Sequence, residues 1–293
     1  AVIRGGAVAA AFHGKANFDV FVLYPKGKIS ERQEKQIAAW GGNVRAIAVR
    51  GSFDDCQRIV KEAMRDRELS SKRNFVSANS INVARLLAQV TYYAKSSLEY
   101  WQKTSETPGF VIPTGNLGNA FAALWAKKIG FPIGKVILAT NANRAVVDFV
   151  TSGKYEARST ISTLANAMDV GDPSNIERLR WLYPEHDELV DEVSAVSVSD
   201  DEIRAAIRDA YVKEKEIWCP HTATALVARE KVEGSNWILV ATAHAAKFET
   251  IVEPLIGGKI AVPPSLSSLL GREIVTVEIE PTLFDFKRQE ITV

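Results

Sequence analysis

At 293 residues the chain is long enough to bury a large core, and we expect two lobes. Hydrophobic residues make up 46% and charged residues 24%, and 36 basic against 35 acidic residues leave no electrostatic footprint for nucleic acid or an anionic membrane. The two cysteines predict no disulfide framework and favour a cytoplasmic protein, and the sequence contains neither a secretion signal nor the roughly 20-residue apolar run of a membrane span.

Strand and helix patterns alternate along the first part of the chain. Ser30 with Gln33 forms a capping-box pair, and Ser52 with Asp55 opens a further helix. The patterns predict a strand at 18–24, a helix at 30–41, a strand at 44–49, a helix at 52–67 and a long helix at 79–97. A polar stretch, 97–108, runs into Pro108-Gly109 and is the predicted lobe boundary, although a surface loop would explain it nearly as well. It divides the chain into a smaller lobe, 1–97, and a larger lobe, 98–293.

The same alternation continues in the second part. Asn141 or Asn143 is predicted to cap a helix after a strand at 135–139, and Ser199 with Glu202 starts another helix. Residues 169–184 read as irregular, 237–241 as a buried strand and 245–256 as a helix. Strands and helices in this order predict right-handed crossovers and parallel sheets covered on both faces, which is an α/β fold.

The most informative segment joins a buried strand at 110–112 to a helix at 120–129 through a glycine loop, Gly115-Asn116-Leu117-Gly118-Asn119. Such a junction points backbone N–H groups and a helix dipole at one place, which suits a phosphate. We expect the glycines to supply positive φ angles and close access. The alternative is an ordinary strand–helix connection. Neither the Walker pattern nor the dinucleotide fingerprint fits, because Asn119-Ala120 follow Gly118 and Phe121 replaces a third glycine.

Two further groups of polar residues lie at predicted element ends. Thr242 follows a buried strand, where ligands of open α/β sheets bind, although Thr242 or His244 could simply cap the next helix. Asn79, Ser80, Asn82 and Arg85 surround a helix start and could hold an anionic oxygen, or they could form a capped helix with a solvated arginine.

The remaining candidates for chemistry are weaker. The four histidines and two cysteines show no metal-ligand spacing, so no metal is expected. Cys219 and His221 are neighbours without a third orienting group, and Cys219 is interpreted as an ordinary buried thiol.

Taken together, these motifs resemble threonine synthase, a pyridoxal-phosphate enzyme of the tryptophan-synthase-β-like fold. The resemblance covers about residues 5–281 and rests on motifs in the same order: Leu23-Tyr24-Pro25-Lys26-Gly27-Lys28-Ile29-Ser30, Ser77-Ala78-Asn79-Ser80-Ile81-Asn82, Pro113-Thr114-Gly115-Asn116-Leu117-Gly118-Asn119, Ala165-Asn166-Ala167-Met168-Asp169-Val170, and Thr242-Ala243-His244 through Lys247-Phe248.

The resemblance implies a two-lobed enzyme of the pyridoxal-phosphate fold type II. It implies that Gly115, Asn116, Leu117, Gly118 and Asn119 hold the phosphate of pyridoxal 5'-phosphate and that Thr242 hydrogen-bonds the pyridine nitrogen. Asn79, Ser80, Asn82 and Arg85 would then face the substrate, O-phospho-L-homoserine, a small phosphorylated amino acid. The family converts this substrate and water into threonine and phosphate.

The sequence departs from the family pattern in two places. The family's Schiff-base lysine stands in a Phe-Lys-Asp context, and no lysine here has that setting; Val2-Ile3-Arg4 stands where a Ser-Gly-Asp-Thr-Gly type loop is usual. We therefore expect a chain without its N-terminal portion, inactive alone, with that missing segment as a possible partner. The alternatives are a serine or threonine dehydratase of the same fold and a non-catalytic module that binds cofactor or phosphate.

Overall fold

The computed structural model describes residues 2–290, and the side chains of residues 5–289. The strands in this range are β1 (Val20–Pro25), β2 (Val44–Val49), β3 (Gly109–Pro113), β4 (Val136–Thr140), β5 (Val193–Ser197), β6 (Trp237–Leu239) and β7 (Thr276–Ile279). The helices are α1 (Val2–Phe12), α2 (Glu31–Ala38), α3 (Phe53–Arg65), α4 (Arg67–Lys72), α5 (Val83–Thr104), α6 (Gly118–Lys128), α7 (Ala145–Ser152), α8 (Ile176–Leu182), α9 (His186–Glu192), α10 (Asp200–Glu214), α11 (Pro220–Glu230), α12 (Glu249–Ile256), α13 (Pro264–Leu270) and α14 (Leu283–Glu290). Two 3₁₀ turns lie at Asn166–Met168 and Ala245–Phe248.

The chain forms two compact units. The first comprises the described residues up to Ala78, together with Ala246–Thr250 and those from Ile260 onward. Its sheet has the order β1-β2-β7, and all of its pairs are parallel. Helices α2 and α3 of this unit begin at the predicted capping boxes, where Ser30 and Ser52 each accept the backbone N–H three residues on.

The second unit comprises Asn79–Ala245 and Ile251–Lys259. Its sheet has the order β5-β4-β3-β6 and is also parallel. Every residue of β3 and β4 is buried, as expected for central parallel strands covered by helices on both faces. The hydrophobic core of this unit is formed by side chains of these strands and by apolar side chains of α5, α6 and α7. The predicted α/β fold with parallel sheets is confirmed.

The two compact units have different boundaries from the predicted lobes. The division into lobes 1–97 and 98–293 stays a prediction. Helix α5 continues through the expected boundary stretch to Thr104 and belongs wholly to the second unit. Its Tyr93 hydroxyl donates to the Asn119 side chain on α6, which explains why α5 stays with the residues that follow. Strand β7, near the other end of the chain, pairs with β2 in the first unit.

Three local predictions were wrong. Asn141 and Asn143 do not cap α7, since Arg144 stands at its N-cap without a side-chain cap bond and both asparagines are buried among other polar groups. Residues 169–184 are not irregular throughout, because they contain α8. The late strand β6 is only three residues long and half-buried. Of residues 1–4, Ala1 lies outside the described residues, and Val2 opens α1.

In the part of the chain that the structure describes, none of the helices combines the length and apolarity needed to cross a bilayer.

Candidate functional site

The glycine loop lies where it was predicted, between β3 and α6 of the second unit. Thr114 still donates its backbone N–H to Ala139, and the regular backbone bonding of the helix resumes at Phe121, whose N–H donates to Leu117. Among the described residues, the backbone amides from Gly115 to Asn119 donate to no protein acceptor. A run of unused N–H groups at the start of an 11-residue helix is a ready site for an anion.

The two loop glycines are required for close approach and not for positive φ. Leu117, not a glycine, holds the left-handed conformation, with φ 61°. A Cβ added at Gly115 would lie 2.7 Å from the Cα of Met168, and one at Gly118 would lie 2.7 Å from the Cβ of Ser80. The expectation that these glycines supply positive φ angles was therefore wrong. The space that a Cβ would need is occupied by Met168 and Ser80, and close access for an anion stays a prediction.

The side chains of the two loop asparagines are engaged by the scaffold. Asn116 donates to the hydroxyl of Ser80 at 3.0 Å, and its carbonyl oxygen accepts from the backbone N–H of Ser174 at 2.6 Å. Asn119 donates to Gln89 of α5 at 3.0 Å and to the Tyr92 hydroxyl. These residues can therefore offer an anion their main-chain N–H groups, while their side chains fix the loop to its surroundings.

The predicted substrate-side residues are in the same unit as the loop. Ser80 is 3% exposed, and its hydroxyl donates to the side chain of Asn79 at 3.2 Å. Asn82 is the N-cap of α5 and accepts the Ala84 N–H at 3.0 Å, which agrees with the capped-helix interpretation. Arg85 lies in the first turn of the same helix, and burial lowers the pKa of its guanidinium. Capping by Asn82 and anion binding by Arg85 are compatible roles.

Two residues that the sequence did not single out connect these motifs. Asn175 is fully buried, and its amide donates to the Ser80 hydroxyl at 3.0 Å and to the backbone carbonyl of Asn116 at 2.7 Å. Arg178, one turn further on α8, donates to the carbonyls of Ser80 at 2.6 Å and Ile81 at 2.7 Å. The sequence signal that could have indicated them is the spacing of Asn175 and Arg178, two polar residues three apart at the start of α8. This helix lies in the segment that was predicted to be irregular.

The 3₁₀ turn Asn166–Met168 supports the other side of the loop. Met168 supplies the backbone that approaches Gly115, and the N–H of Ala167 donates to Nε2 of His221 at 3.1 Å. Because Nε2 accepts, the imidazole is neutral with its proton on Nδ1, and complete burial lowers the pKa of His221 to about 3. His221 thus positions the turn and does not act as a proton donor near neutral pH.

Thr242 comes just after the strand that neighbours β3. The Val240 N–H donates to the carbonyl of Val111, so the chain runs parallel to β3 up to this point. Thr242 is therefore at the same carboxyl edge of the sheet as the glycine loop, the usual position of ligands in open α/β sheets. Thr242 is exposed, and its role in binding stays a prediction.

A buried carboxylate stabilises the segment that carries the 3₁₀ turn. Asp169 accepts from the Thr163 hydroxyl at 2.6 Å, from the Thr163 N–H at 3.0 Å and from Asn141 at 2.8 Å. Burial raises the pKa of Asp169 to about 6, although these hydrogen bonds act in the opposite direction. This network uses Asn141 and Asn143, which explains why neither asparagine caps α7.

This carboxylate predicts a measurable pH dependence of folding stability. The pKa of Asp169 is about 6 in the fold and near 4 in an unfolded chain, so the folded protein binds the proton more tightly between these pH values. The resulting stabilisation is complete below about pH 4 and is lost as the pH rises through about 6, with an upper limit of about 3 kcal/mol. Urea denaturation of the wild type and of Asp169→Asn from pH 4 to 8 measures it. A pH-independent difference between the two would contradict the prediction.

Among the residues that the structure describes, no group of three or more histidine, cysteine, aspartate or glutamate side chains is placed to hold a metal ion. Cys219 is buried at the N-cap of α11, where its sulfur accepts the Thr222 N–H, and burial raises the pKa of its thiol.

The loop fits a phosphate monoester. Its unused amides and the helix start behind them form a cradle for a dianion. Met168 and Ser80 pack against Gly115 and Gly118 and support the loop. Comparison with known proteins leads to the same kind of ligand.

The family model described as pyridoxal-phosphate dependent enzyme matches residues 5–242, and the model described as threonine synthase, C-terminal, matches residues 221–287. The threonine synthase of Buchnera aphidicola subsp. Acyrthosiphon pisum is 37% identical over 97% of this chain and 66% of its own length. The threonine synthase of Escherichia coli is 38% identical over 90% of this chain and 62% of its own length. The chain thus spans slightly less than two thirds of the curated relatives that it matches.

Solved structures give the same result. The crystal structure of threonine synthase from Escherichia coli superposes with a TM-score of 0.91 at 35% identity, covering 98% of this chain and 67% of that one. The PLP-bound threonine synthase from Brucella melitensis gives a TM-score of 0.85 at 32% identity, covering 97% and 67%. These matches confirm the predicted resemblance, fold type and cofactor class. The chain belongs to the family of pyridoxal-phosphate dependent enzymes, and within it the chain is similar to threonine synthases.

Proposed function

We propose that this chain carries the cofactor-phosphate and substrate-binding residues of a threonine synthase, a carbon–oxygen lyase that converts O-phospho-L-homoserine and water into L-threonine and phosphate. The observation that carries the proposal is the run of unused backbone amides from Gly115 to Asn119, at the start of α6. Such a run of N–H groups binds an anion, and the phosphate of a cofactor is a ligand of this kind. The alignment of the chain with threonine synthases over nearly its whole length supports the choice of reaction.

The proposed contacts of the cofactor are few. The main-chain N–H groups of residues 115–119 bind its phosphate, and the hydroxyl of Thr242 hydrogen-bonds its pyridine nitrogen. Bound pyridoxal phosphate supplies an electron sink for the carbanion character that develops next to the substrate amine. A neutral hydroxyl at Thr242 does not keep the pyridine nitrogen protonated, so this chain provides a moderated sink.

The proposed contacts of the substrate come from the start of α5. Amide donors from Asn79 and Asn82 and the guanidinium of Arg85 suit the phosphate oxygens of O-phospho-L-homoserine. Burial of Arg85 strengthens its attraction for an anion, because the low-dielectric surroundings screen the charge less than water does. The hydroxyl of Ser80 belongs to the same group and also packs against the glycine loop.

The chain's own residues bind and orient, and the covalent anchor is proposed to come from elsewhere. No lysine of this sequence stands in the Phe-Lys-Asp setting that the resemblance implies for the Schiff-base residue. We propose that the 293-residue chain alone takes up the cofactor without a covalent bond and that a further polypeptide segment, acting as a partner, supplies the lysine. Cytoplasmic location stays a prediction.

We expect titration with pyridoxal phosphate to give saturable binding in which the absorbance band stays close to that of the free aldehyde. Inorganic phosphate should compete, since it occupies the same amides. The titration is followed by absorbance and by quenching of tryptophan fluorescence, and phosphate release from O-phospho-L-homoserine is measured in parallel. Pyridoxal, which lacks the phosphate, is the matched control ligand and should bind far more weakly.

The outcomes separate the two parts of the proposal. Equal binding of pyridoxal and pyridoxal phosphate would contradict the assignment of residues 115–119 to the cofactor phosphate. Release of phosphate by the chain alone would contradict the assignment of the lysine to another segment, while supporting the reaction. Turnover of serine in preference to O-phospho-L-homoserine would favour the dehydratase alternative. The present support for that alternative is likeness of fold alone, as with the threonine deaminase isoform 2 of Solanum lycopersicum at 17% identity and a TM-score of 0.52.

A further inference from the structure

Arg178 is a cationic side chain whose contacts are all with neutral oxygens. Its two terminal nitrogens donate to the backbone carbonyls of Ser80 and Ile81, and one of them also donates to the side chain of Asn175. Within the described part of the chain Arg178 forms no ion pair. Burial lowers the pKa of the guanidinium, which shows that its charge is partly removed from water.

A planar guanidinium that binds two successive carbonyls fixes the orientation of two peptide units at once. A trans peptide is planar, with its C=O and N–H pointing in opposite directions, so each fixed carbonyl also fixes the direction of the following N–H. Arg178 therefore sets the orientation of the Ser80–Ile81 and Ile81–Asn82 peptides. The rigid fork suits this task better than a lysine ammonium, which is a point donor.

The turn that Arg178 holds carries residues proposed to bind the substrate and also contacts the glycine loop. Ser80 packs its Cβ against Gly118, and its hydroxyl accepts from Asn116 and Asn175. On the other side Asn82 caps α5, and its carbonyl accepts the Arg85 N–H at 3.1 Å. A rotation of the Ser80–Ile81 peptide would consequently displace the residues proposed to hold the substrate, with a smaller effect on the amides of the glycine loop.

We propose that Arg178 is a positioning residue of this site: by holding the carbonyls of Ser80 and Ile81 it places Asn79, Ser80 and Asn82 against the glycine loop. The predicted effect of Arg178 on substrate binding rests on the proposed function. Its effect on the conformation of the turn does not. The role of Arg178 is to keep the substrate-side turn in one conformation.

The first test measures hydrogen exchange in the full chain without ligand. Arg178→Ala should raise the exchange rate of the peptide spanning residues 79–84 by about 10-fold or more, because a charge-assisted hydrogen bond contributes about 1.5–3 kcal/mol. Arg180→Ala is the matched control, since Arg180 is an exposed arginine two residues on in the same helix. Added guanidinium ion at low concentration should restore protection in Arg178→Ala and have no effect on the control.

The second test measures the affinity of the protein for its proposed ligands. In the chain loaded with pyridoxal phosphate, Arg178→Ala should weaken O-phospho-L-homoserine binding about 10- to 100-fold, while the affinity for pyridoxal phosphate changes by a smaller factor. The affinity of Arg178→Lys for O-phospho-L-homoserine should lie between those of the wild type and Arg178→Ala. Unchanged exchange at residues 79–84, or equal loss of both affinities, would overturn the positioning role. A wild type that fails to bind pyridoxal phosphate would overturn the proposed function, and the exchange data would still decide whether Arg178 orders the turn.

Discussion

Replacement of Gly115 by alanine is expected to weaken pyridoxal phosphate binding by about 5- to 150-fold, the equivalent of the ~1–3 kcal/mol that overpacking costs. The added Cβ would lie 2.7 Å from Cα of Met168 and 3.1 Å from its carbonyl oxygen. Both are backbone atoms, so no side-chain rotation relieves the contact. Either the loop or the 3₁₀ turn must move, and the amides that form the phosphate cradle move with the loop.

Gly118→Ala tests the other wall of the cradle. Its Cβ would meet Ser80 Cβ at 2.7 Å and the Leu86 side chain at 3.2 Å, and Leu86 can adjust whereas the Ser80 Cβ cannot. We expect a loss of affinity in the same range as for Gly115→Ala.

Gly258→Ala is the matched control for both substitutions. Gly258 belongs to the same compact unit, and no heavy atom lies within 4 Å of its added Cβ. Thermal denaturation of each variant without ligand separates a lost cradle from a lost fold, and absorbance titration gives the affinity. Wild-type affinity in both Gly115→Ala and Gly118→Ala would show that the cofactor phosphate is not held at this loop.

The parts of the fold that are encoded locally were predictable from the sequence. The buried apolar run of β3, the glycines after it and the apolar spacing of α6 lie within 20 consecutive residues, 110–129, and the structure reproduces all three. The capping boxes at Ser30, Ser52 and Ser199 each involve residues three apart, so their signal survives without any knowledge of tertiary contacts.

The side chains that assemble the site were not predictable in this way. Asn175 and Arg178 contact Ser80 across 95 and 98 residues of sequence, and neither the period nor the composition of a segment carries information on such pairs. Asn141 and Asn143 illustrate the opposite error. Their position before a helix favours capping, but desolvation of Asp169 requires hydrogen-bond donors, and these two amides supply them.

The same reasoning explains the glycine loop. A glycine pattern in sequence indicates that a Cβ is unfavourable, but it does not distinguish a positive φ from a close neighbour. In this loop the neighbour is decisive, since Met168 approaches Gly115 from a turn more than fifty residues away, and Leu117 accepts the left-handed conformation at a cost of about 1 kcal/mol. Leu117 is 2% exposed, so burial of its side chain offsets that strain.

The second large effect is expected at Asn175, where truncation to alanine should lower the free energy of unfolding by about 2–4 kcal/mol. The substitution removes the hydrogen bonds that Asn175 donates to the Ser80 hydroxyl and to the Asn116 carbonyl, although the Ser80 hydroxyl still accepts from Asn116. Each lost hydrogen bond costs about 0.5–1.5 kcal/mol, and one to a charged group about 1.5–3 kcal/mol. It also removes the side-chain oxygen to which Arg178 donates.

A double-mutant cycle locates this effect in the network. If Asn175 acts through the Ser80 hydroxyl, Asn175→Ala and Ser80→Ala together should cost less than the sum of the two single changes, with a coupling of about 0.5–3 kcal/mol. Asn236→Ala is the control, because its side-chain oxygen accepts only from the adjacent Ser235 in the described residues. Equilibrium urea unfolding of the four proteins gives the coupling. Strict additivity would mean that Asn175 does not act through the Ser80 hydroxyl and therefore does not join the substrate-side turn to the glycine loop.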